Sequence, residues 1–134
     1  MTLPLSVIAL HFIADWLCQT NWMALNKSKD IRALFAHVFV YSFVMGSFLA
    51  RVTDTPDVLW ITIVAGPHFI IDYCTSRIGA RLWFINLIPR NPTDYPPYSA
   101  TVDMDKRYWF WQIIGFDQLL HYVCLSLSLH YFGR

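Results

Sequence analysis

Three pairs of aspartate and histidine, each pair spaced four positions apart, are the residues best placed to do chemistry in this chain. The pairs are His11 with Asp15, His68 with Asp72, and Asp117 with His121. The first two stand in near-copies, HFIADW and HFIIDY, while FDQLLH carries the pair in reverse order. In a helix a spacing of four places both side chains on one face, about 6 Å apart.

Imidazole and carboxylate groups together bind divalent metals, and a bound ion can acidify a water and stabilise an oxyanion. We predict one or two divalent ions (Zn, Mn or Mg) held by His11, Asp15, His68, Asp72, Asp117 and His121. Catalytic roles are predicted for His37, Asp72 and Asp117, with His37 acting as a ligand or as the general base. The predicted supporting donors around the ligands are Gln19, Tyr41, Ser76 and Gln118.

Four apolar segments carry these residues, at positions 3–19, 31–50, 58–74 and 108–132. Each approaches the roughly 20 residues that cross a bilayer. The chain is 56% hydrophobic and only 14% charged, against about 25% charged in ordinary globular domains. We therefore predict an all-α membrane protein whose single domain, 1–134, contains four transmembrane helices as two repeated hairpins, 1–50 and 58–132. A proline-rich cytoplasmic loop would join helices three and four.

The basic residues indicate an orientation, because cytoplasmic loops carry an excess of Lys and Arg. The first and third loops hold eight of the ten basic residues. This predicts a multi-pass protein of the bacterial inner membrane with both termini on the non-cytoplasmic side. The reversed pair on the fourth, antiparallel helix would then lie at the same depth as the other two pairs. A soluble helical protein with a large buried core is the alternative.

Residues at the cytoplasmic boundary form a second group, for which we predict binding of an anionic substrate or a lipid head group. They are Trp22, Asn26, Lys27, Arg32, Arg77 and Arg107. The tendency of cytoplasmic loops to be basic explains the charged members equally well. The net charge of +1 gives no reason to expect nucleic-acid binding. Membrane lipid is the expected partner, and a homo-oligomer is compatible with the sequence.

The motif set resembles an uncharacterised family of small bacterial and phage integral membrane proteins, the domain of unknown function numbered thirty-three-oh-seven. The residues that carry the resemblance are His11-x-x-x-Asp15, the stretch QTNWMALNK from Gln19 to Lys27, His37, His68-x-x-x-Asp72 and Asp117-Gln118-x-x-His121. The resemblance implies a membrane-embedded helical bundle and assigns no activity. More distantly, the pattern is analogous to integral-membrane metal-dependent hydrolases.

Several functions fit these residues. The first is an inner-membrane metal-dependent hydrolase that acts on a phosphorylated or ester-containing, lipid-like substrate near the cytoplasmic leaflet. The second is a proton or ion conductor, or a transporter, that uses the Asp and His residues as a relay. A haem-binding bundle is a third, and a non-enzymatic bacterial or phage membrane protein is a fourth. In that last case the Asp and His side chains would pair only to hold the helices together.

Overall fold

The computed structural model describes residues 4–54, 56–87 and 104–133, with side chains described for 4–54, 56–81 and 111–133. Within these ranges the chain is helical and contains no strand. The elements are α1 (Leu5–Phe12), a π-helical turn (Ile13–Leu17), α2 (Asn21–Asn26), α3 (Ile31–Thr53), α4 (Asp57–Leu87) and α5 (Met104–Phe132). The prediction of an all-helical protein is confirmed.

The first apolar segment contains a π-helical turn, which the periodicity of the sequence did not predict. The amide of Cys18 donates to the carbonyl of Ile13 at 2.9 Å, a bond that spans five residues instead of four. Such turns widen the helix locally and are frequent at functional sites. Asp15 lies inside the turn. The regular structure then ends at Leu17, before the predicted end of this segment at residue 19.

A short capped connection leads from the first helix to α3. The Thr20 hydroxyl accepts a hydrogen bond from the Met23 amide at 3.3 Å and caps α2. The Asp30 carboxylate accepts from the Arg32 amide at 2.9 Å and caps α3 in the same way. These caps satisfy amides that helices leave unpaired at their N-termini. They define the path of the segment that carries Lys27.

Helices α3 and α4 form a tight hairpin that organises the hydrophobic core. Asp54 ends α3 in the left-handed conformation, with φ at 55°. Further along the pair, a Cβ atom added to Gly46 would lie 2.6 Å from Ile61 Cγ1 and 2.7 Å from Ile61 N. Only glycine permits this approach without moving the helices. The buried side chains beside this contact include Trp60, Met45 and Leu49.

Two helices have the length and composition needed to cross a membrane, Ile31–Thr53 and the Asp57–Arg81 part of α4. The helix Leu5–Leu17 is also apolar but shorter. Helix α4 continues through Pro67 and well beyond the predicted limit at residue 74. The predicted proline-rich loop lies outside the described residues. The arrangement of four spans as repeated hairpins, and the orientation, stay predictions.

Candidate metal centre

Four buried side chains from three parts of the fold converge on one point. Asp15 comes from the π-helical turn, His37 from α3, and His68 and Asp72 from α4. His37 Nε2 lies 3.1 Å from Asp15 Oδ1, 3.1 Å from Asp72 Oδ2 and 3.1 Å from His68 Nε2. His68 Nε2 lies 3.7 Å from the same Asp15 oxygen and 3.8 Å from the same Asp72 oxygen. We call these four residues the quartet.

The separations in the quartet match the spacing of ligands around one tetrahedral ion. Bonds of 2.0–2.2 Å to nitrogen and oxygen imply ligand-to-ligand distances of about 3.3–3.6 Å in a tetrahedron. Five of the six quartet distances run from 3.1 to 3.8 Å, and all four ligand atoms lie within 4.8 Å of one another. Hydrogen bonds alone do not account for this convergence, because His37 Nε2 carries at most one proton for three close neighbours.

Lys27 enters the same centre from the segment between α2 and α3. Its Nζ atom lies 2.9 Å from Asp72 Oδ2, and its side chain is only 20% exposed. Burial alone would lower the pKa of Lys27, but the carboxylates of Asp72 and Asp15 more than offset that effect, so its pKa is raised. Lys27 is therefore a charged ammonium that compensates one of the three carboxylates of this region, those of Asp15, Asp72 and Asp117.

A second group shares Asp72 with the quartet. Asp72, Asp117 and His121 each place one possible ligand atom within 4.8 Å of the others. Asp117 is held by Thr75, whose hydroxyl donates to Asp117 Oδ1 at 2.5 Å, and by Gln118, whose amide donates to Asp117 Oδ2 at 3.2 Å. We call Asp72, Asp117 and His121 the triad. It lies on the α4–α5 side of the centre.

His11 lies one step away from the quartet, between Tyr41 and Gln118. Its Nε2 is 3.1 Å from Gln118 Oε1, an atom that can only accept, so His11 Nε2 is the donor. His11 Nδ1 then accepts from the Tyr41 hydroxyl at 3.0 Å. The Gln118 side-chain amide in turn donates a hydrogen bond to Asp15 Oδ2 at 2.9 Å. His11 thus orients Asp15 through Gln118, and its predicted role as a direct ligand stays a prediction.

Tyr41 and Gln118, for which the sequence predicted supporting roles, both contact residues of the quartet. The Tyr41 ring stacks on the His68 ring with centroids 3.6 Å apart and planes 7° from parallel, which fixes the direction of His68 Nε2. Gln19 and Ser76 are placed differently, since Gln19 Oε1 and Ser76 Oγ are buried without a hydrogen-bond partner among the described residues. Neither has a described contact with the quartet or the triad.

The predicted anion-binding residues fall into separate places. Lys27 reaches the centre, whereas the Arg32 guanidinium pairs with Asp30 at 3.0 Å on the surface. Arg77 lies over the ring of Tyr73, 3.7 Å from its centroid, and donates to the Tyr73 carbonyl. Trp22 is exposed, and the Asn26 amide donates to the carbonyl of Trp22. The side chain of Arg107 lies outside those described.

Two contacts of the centre were not predicted from the sequence. One is the ion pair of Lys27 with Asp72, and the other is the hydrogen bond of Thr75 to Asp117. Thr75 lies seven residues after His68, on the same helix face as the second His-x-x-x-Asp pair. That spacing could have identified it. No local spacing relates Lys27 to Asp72, because 45 positions separate them.

Comparisons with known proteins identify a family but no activity. A family model described as "Protein of unknown function (DUF3307)" matches residues 3–133. Neither a curated protein nor a solved structure matches the chain.

Proposed function

We propose that this chain, which belongs to the DUF3307 family of unknown function, is a metal-dependent hydrolase of the bacterial inner membrane. In this proposal a divalent ion is held by Asp15, His37, His68 and Asp72 and acts on an anionic, lipid-like ester. The observation that carries the proposal is the convergence of four buried ligand atoms, five of whose six separations are 3.1–3.8 Å.

Charge balance supports an ion in the centre. Asp15, Asp72 and Asp117 supply three carboxylates, and Lys27 supplies one compensating ammonium. With neutral imidazoles, two negative charges remain in a buried place, where an uncompensated charge costs several kcal/mol. One divalent cation would neutralise them. A pure structural role for the cluster would leave this imbalance to be met by protonated histidines.

The substrate class follows from the residue that reaches the centre from the surface. The basic side chain of Lys27 contacts Asp72 of the quartet, and it remains partly exposed. An ammonium beside the ion suits a phosphate or another anionic ester group. The bound ion would take a water as a fifth ligand, make it more acidic and stabilise negative charge on the substrate. Because His37 is one of the quartet, its Nε2 atom would bind the ion and would not act as the general base.

The membrane setting is supported by the outer surface of the molecule. Large apolar side chains stand exposed along α3, including Phe35, Phe39 and Phe43. Soluble monomers rarely expose apolar surface so extensively. Together with the two candidate spans, Ile31–Thr53 and Asp57–Arg81, this favours lipid as the surrounding medium. The proposal keeps the predicted four spans and non-cytoplasmic termini.

Hydrolysis is tested with the detergent-purified full chain loaded with Mn²⁺. Suitable probes are 4-nitrophenyl phosphate, phosphatidic acid in mixed micelles and 4-nitrophenyl butyrate. We expect chelator-sensitive turnover of at least one phosphate probe, its loss in Asp72→Asn, and its retention in Asp57→Asn. Asp57 is exposed at the start of α4 and makes a matched control for the same substitution. A metal-loaded protein that turns over none of the probes would contradict the proposal.

Proton or ion conduction is the second candidate, favoured by the hydrogen-bonded chain from Tyr41 through His11 and Gln118 to Asp15. The amide of Gln118 weakens this candidate, because an amide does not titrate in the range used by proton relays. The two functions separate in liposomes. A conductor would collapse an imposed pH gradient at a rate that falls in Asp15→Asn, whereas a hydrolase would leave the gradient intact.

A further inference from the structure

One ring nitrogen of His121 is buried and has no hydrogen-bond partner. His121 is 2% exposed, and its Nε2 atom is without a partner among the described residues. The other nitrogen, Nδ1, lies 2.9 Å from the carbonyl oxygen of Asp117, which can only accept. Nδ1 therefore carries the proton, and in neutral imidazole Nε2 then presents a lone pair. Histidine ligands of metals have this arrangement, with one nitrogen fixed by a carbonyl and the other free to bind.

The free nitrogen of His121 faces a carboxylate that already belongs to the quartet. His121 Nε2 lies 3.9 Å from Asp72 Oδ1, while the other oxygen of Asp72, Oδ2, lies 3.1 Å from His37 Nε2. The two oxygens of Asp72 thus point to different sets of nitrogens. A carboxylate in this position can bridge two ions, as in enzymes whose paired metals lie about 3.5–4 Å apart.

Asp117 completes the second set and leaves it more accessible than the quartet. Thr75 and Gln118 hold its two oxygens, and its side chain is 14% exposed, compared with 5% for Asp15 and 1% for His37, which belong to the quartet alone. Three protein ligands leave coordination positions open for water or substrate, as in catalytic sites, whereas a tetrahedral ion held by four ligands must expand its coordination to take a water. The triad therefore has the composition of the substrate-facing position.

We propose that the triad of Asp72, Asp117 and His121 binds a second divalent ion, joined to the quartet ion through the Asp72 carboxylate. The proposal rests on the proposed function, because it requires the first ion in the quartet. A second ion brings two positive charges to a centre that the first ion has already neutralised. An anionic oxygen from a phosphate or phosphate ester, bound at the open positions, would compensate them. The substrate class of this position is therefore a phosphate ester, and inorganic phosphate should favour occupancy of the triad.

The test measures bound metal and its magnetic coupling in the full chain. Detergent-purified protein is dialysed against Mn²⁺ in the presence of inorganic phosphate, and bound Mn²⁺ is counted and examined by electron paramagnetic resonance. We expect about two equivalents and the spectrum of a spin-coupled Mn²⁺ pair in the wild type. Asp117→Asn and His121→Gln should each retain about one equivalent, with the spectrum of isolated Mn²⁺. His130→Gln should behave like the wild type, since His130 is exposed near the end of the same helix.

The outcomes distinguish this inference from the proposed function. One uncoupled equivalent in the wild type, or two equivalents that survive both Asp117→Asn and His121→Gln, would overturn the second ion and leave the quartet ion standing. An absence of bound Mn²⁺ in the wild type would overturn both. The wild-type spectrum gives a decision even if a variant fails to fold, because coupling requires two neighbouring ions.

Discussion

The two copies of His-x-x-x-Asp have the same spacing, but their side chains make different contacts. In the second copy, His68 and Asp72 both belong to the quartet. In the first copy only Asp15 does, while His11 is engaged by Tyr41 and Gln118. The three residues between histidine and aspartate differ little, being Phe-Ile-Ala in one copy and Phe-Ile-Ile in the other. The difference therefore arises from the surroundings of each copy.

Backbone geometry is one part of those surroundings. The second copy lies in the continuous helix α4, whereas the first spans the junction of α1 with the π-helical turn Ile13–Leu17. The second part is the neighbouring helix. Gln118 from α5 stands between His11 and the carboxylate of Asp15 and donates to Asp15 Oδ2 at 2.9 Å. His11 Nε2 is left 3.9 Å from that oxygen, too far for a hydrogen bond.

The largest expected effect is the contrast between the two histidines. His68→Gln removes a quartet nitrogen, so we expect the purified protein to lose its ion during dialysis. His11→Gln removes only a group that orients Asp15 through Gln118, and we expect affinity to fall by about 10- to 100-fold. Metal titration of both variants checks this. Equal losses would show that the two copies are equivalent and that His11 is a ligand.

A smaller effect is expected at the connection between the copies. Gln118→Leu keeps much of the volume but removes the amide that donates to Asp15 and accepts from His11. Leaving a buried acceptor unpaired costs about 1–3 kcal/mol, and we expect metal affinity to fall by about 10-fold. Isothermal titration with Mn²⁺ measures it. The matched variant Gln112→Leu, on an exposed position of the same helix, should bind Mn²⁺ like the wild type. If Gln118→Leu binds Mn²⁺ as tightly as that control, Gln118 does not orient Asp15 for metal binding.

The smallest effect is expected for Tyr41→Phe. This substitution keeps the ring that stacks on His68 but removes the hydroxyl that donates to His11 Nδ1. One hydrogen bond of this kind contributes about 1 kcal/mol, so we expect a loss of affinity of about fivefold. Competition with a coloured chelator is sensitive enough to measure it. A loss as large as that of His68→Gln would mean that Tyr41 has a more direct role than the geometry gives it.

Local spacing indicated that the Asp and His residues of the three motifs would lie near one another, but it did not indicate the contacts of Lys27 and Thr75. Because α4 is regular, the interval of four in His68-x-x-x-Asp72 placed both residues on one helix face. Because α3 is regular, the position of His37 in the second segment indicated its depth along that helix. The gathering of Asp117 with Asp72 followed from the reversed order on an antiparallel helix. Tyr41 was chosen in the same way, as the residue four positions after His37, whereas Gln118 belongs to the motif Asp117-Gln118-x-x-His121. The supporting roles of both stay predictions.

Which residue contacts which within the centre could not be predicted from sequence spacing. The π-helical turn at Asp15 interrupts the α-helical repeat of the first helix, and the residue types in Ile13–Leu17 do not predict it. The reach of Lys27 to Asp72 depends on the caps at Thr20 and Asp30 that set the path of the connection. The membrane arrangement rests on composition, which favours spans without fixing how many helices cross.

The metal content of the purified wild-type protein is the most direct test of whether the quartet holds a divalent ion. The full chain would be extracted in detergent without a chelator and analysed by inductively coupled plasma mass spectrometry, beside Asp72→Asn and the surface control Asp57→Asn. We predict at least about one equivalent of a divalent metal in the wild type and in Asp57→Asn, with loss in Asp72→Asn. A wild-type protein that carries only traces of metal and takes up none on dialysis would show that the quartet does not hold an ion.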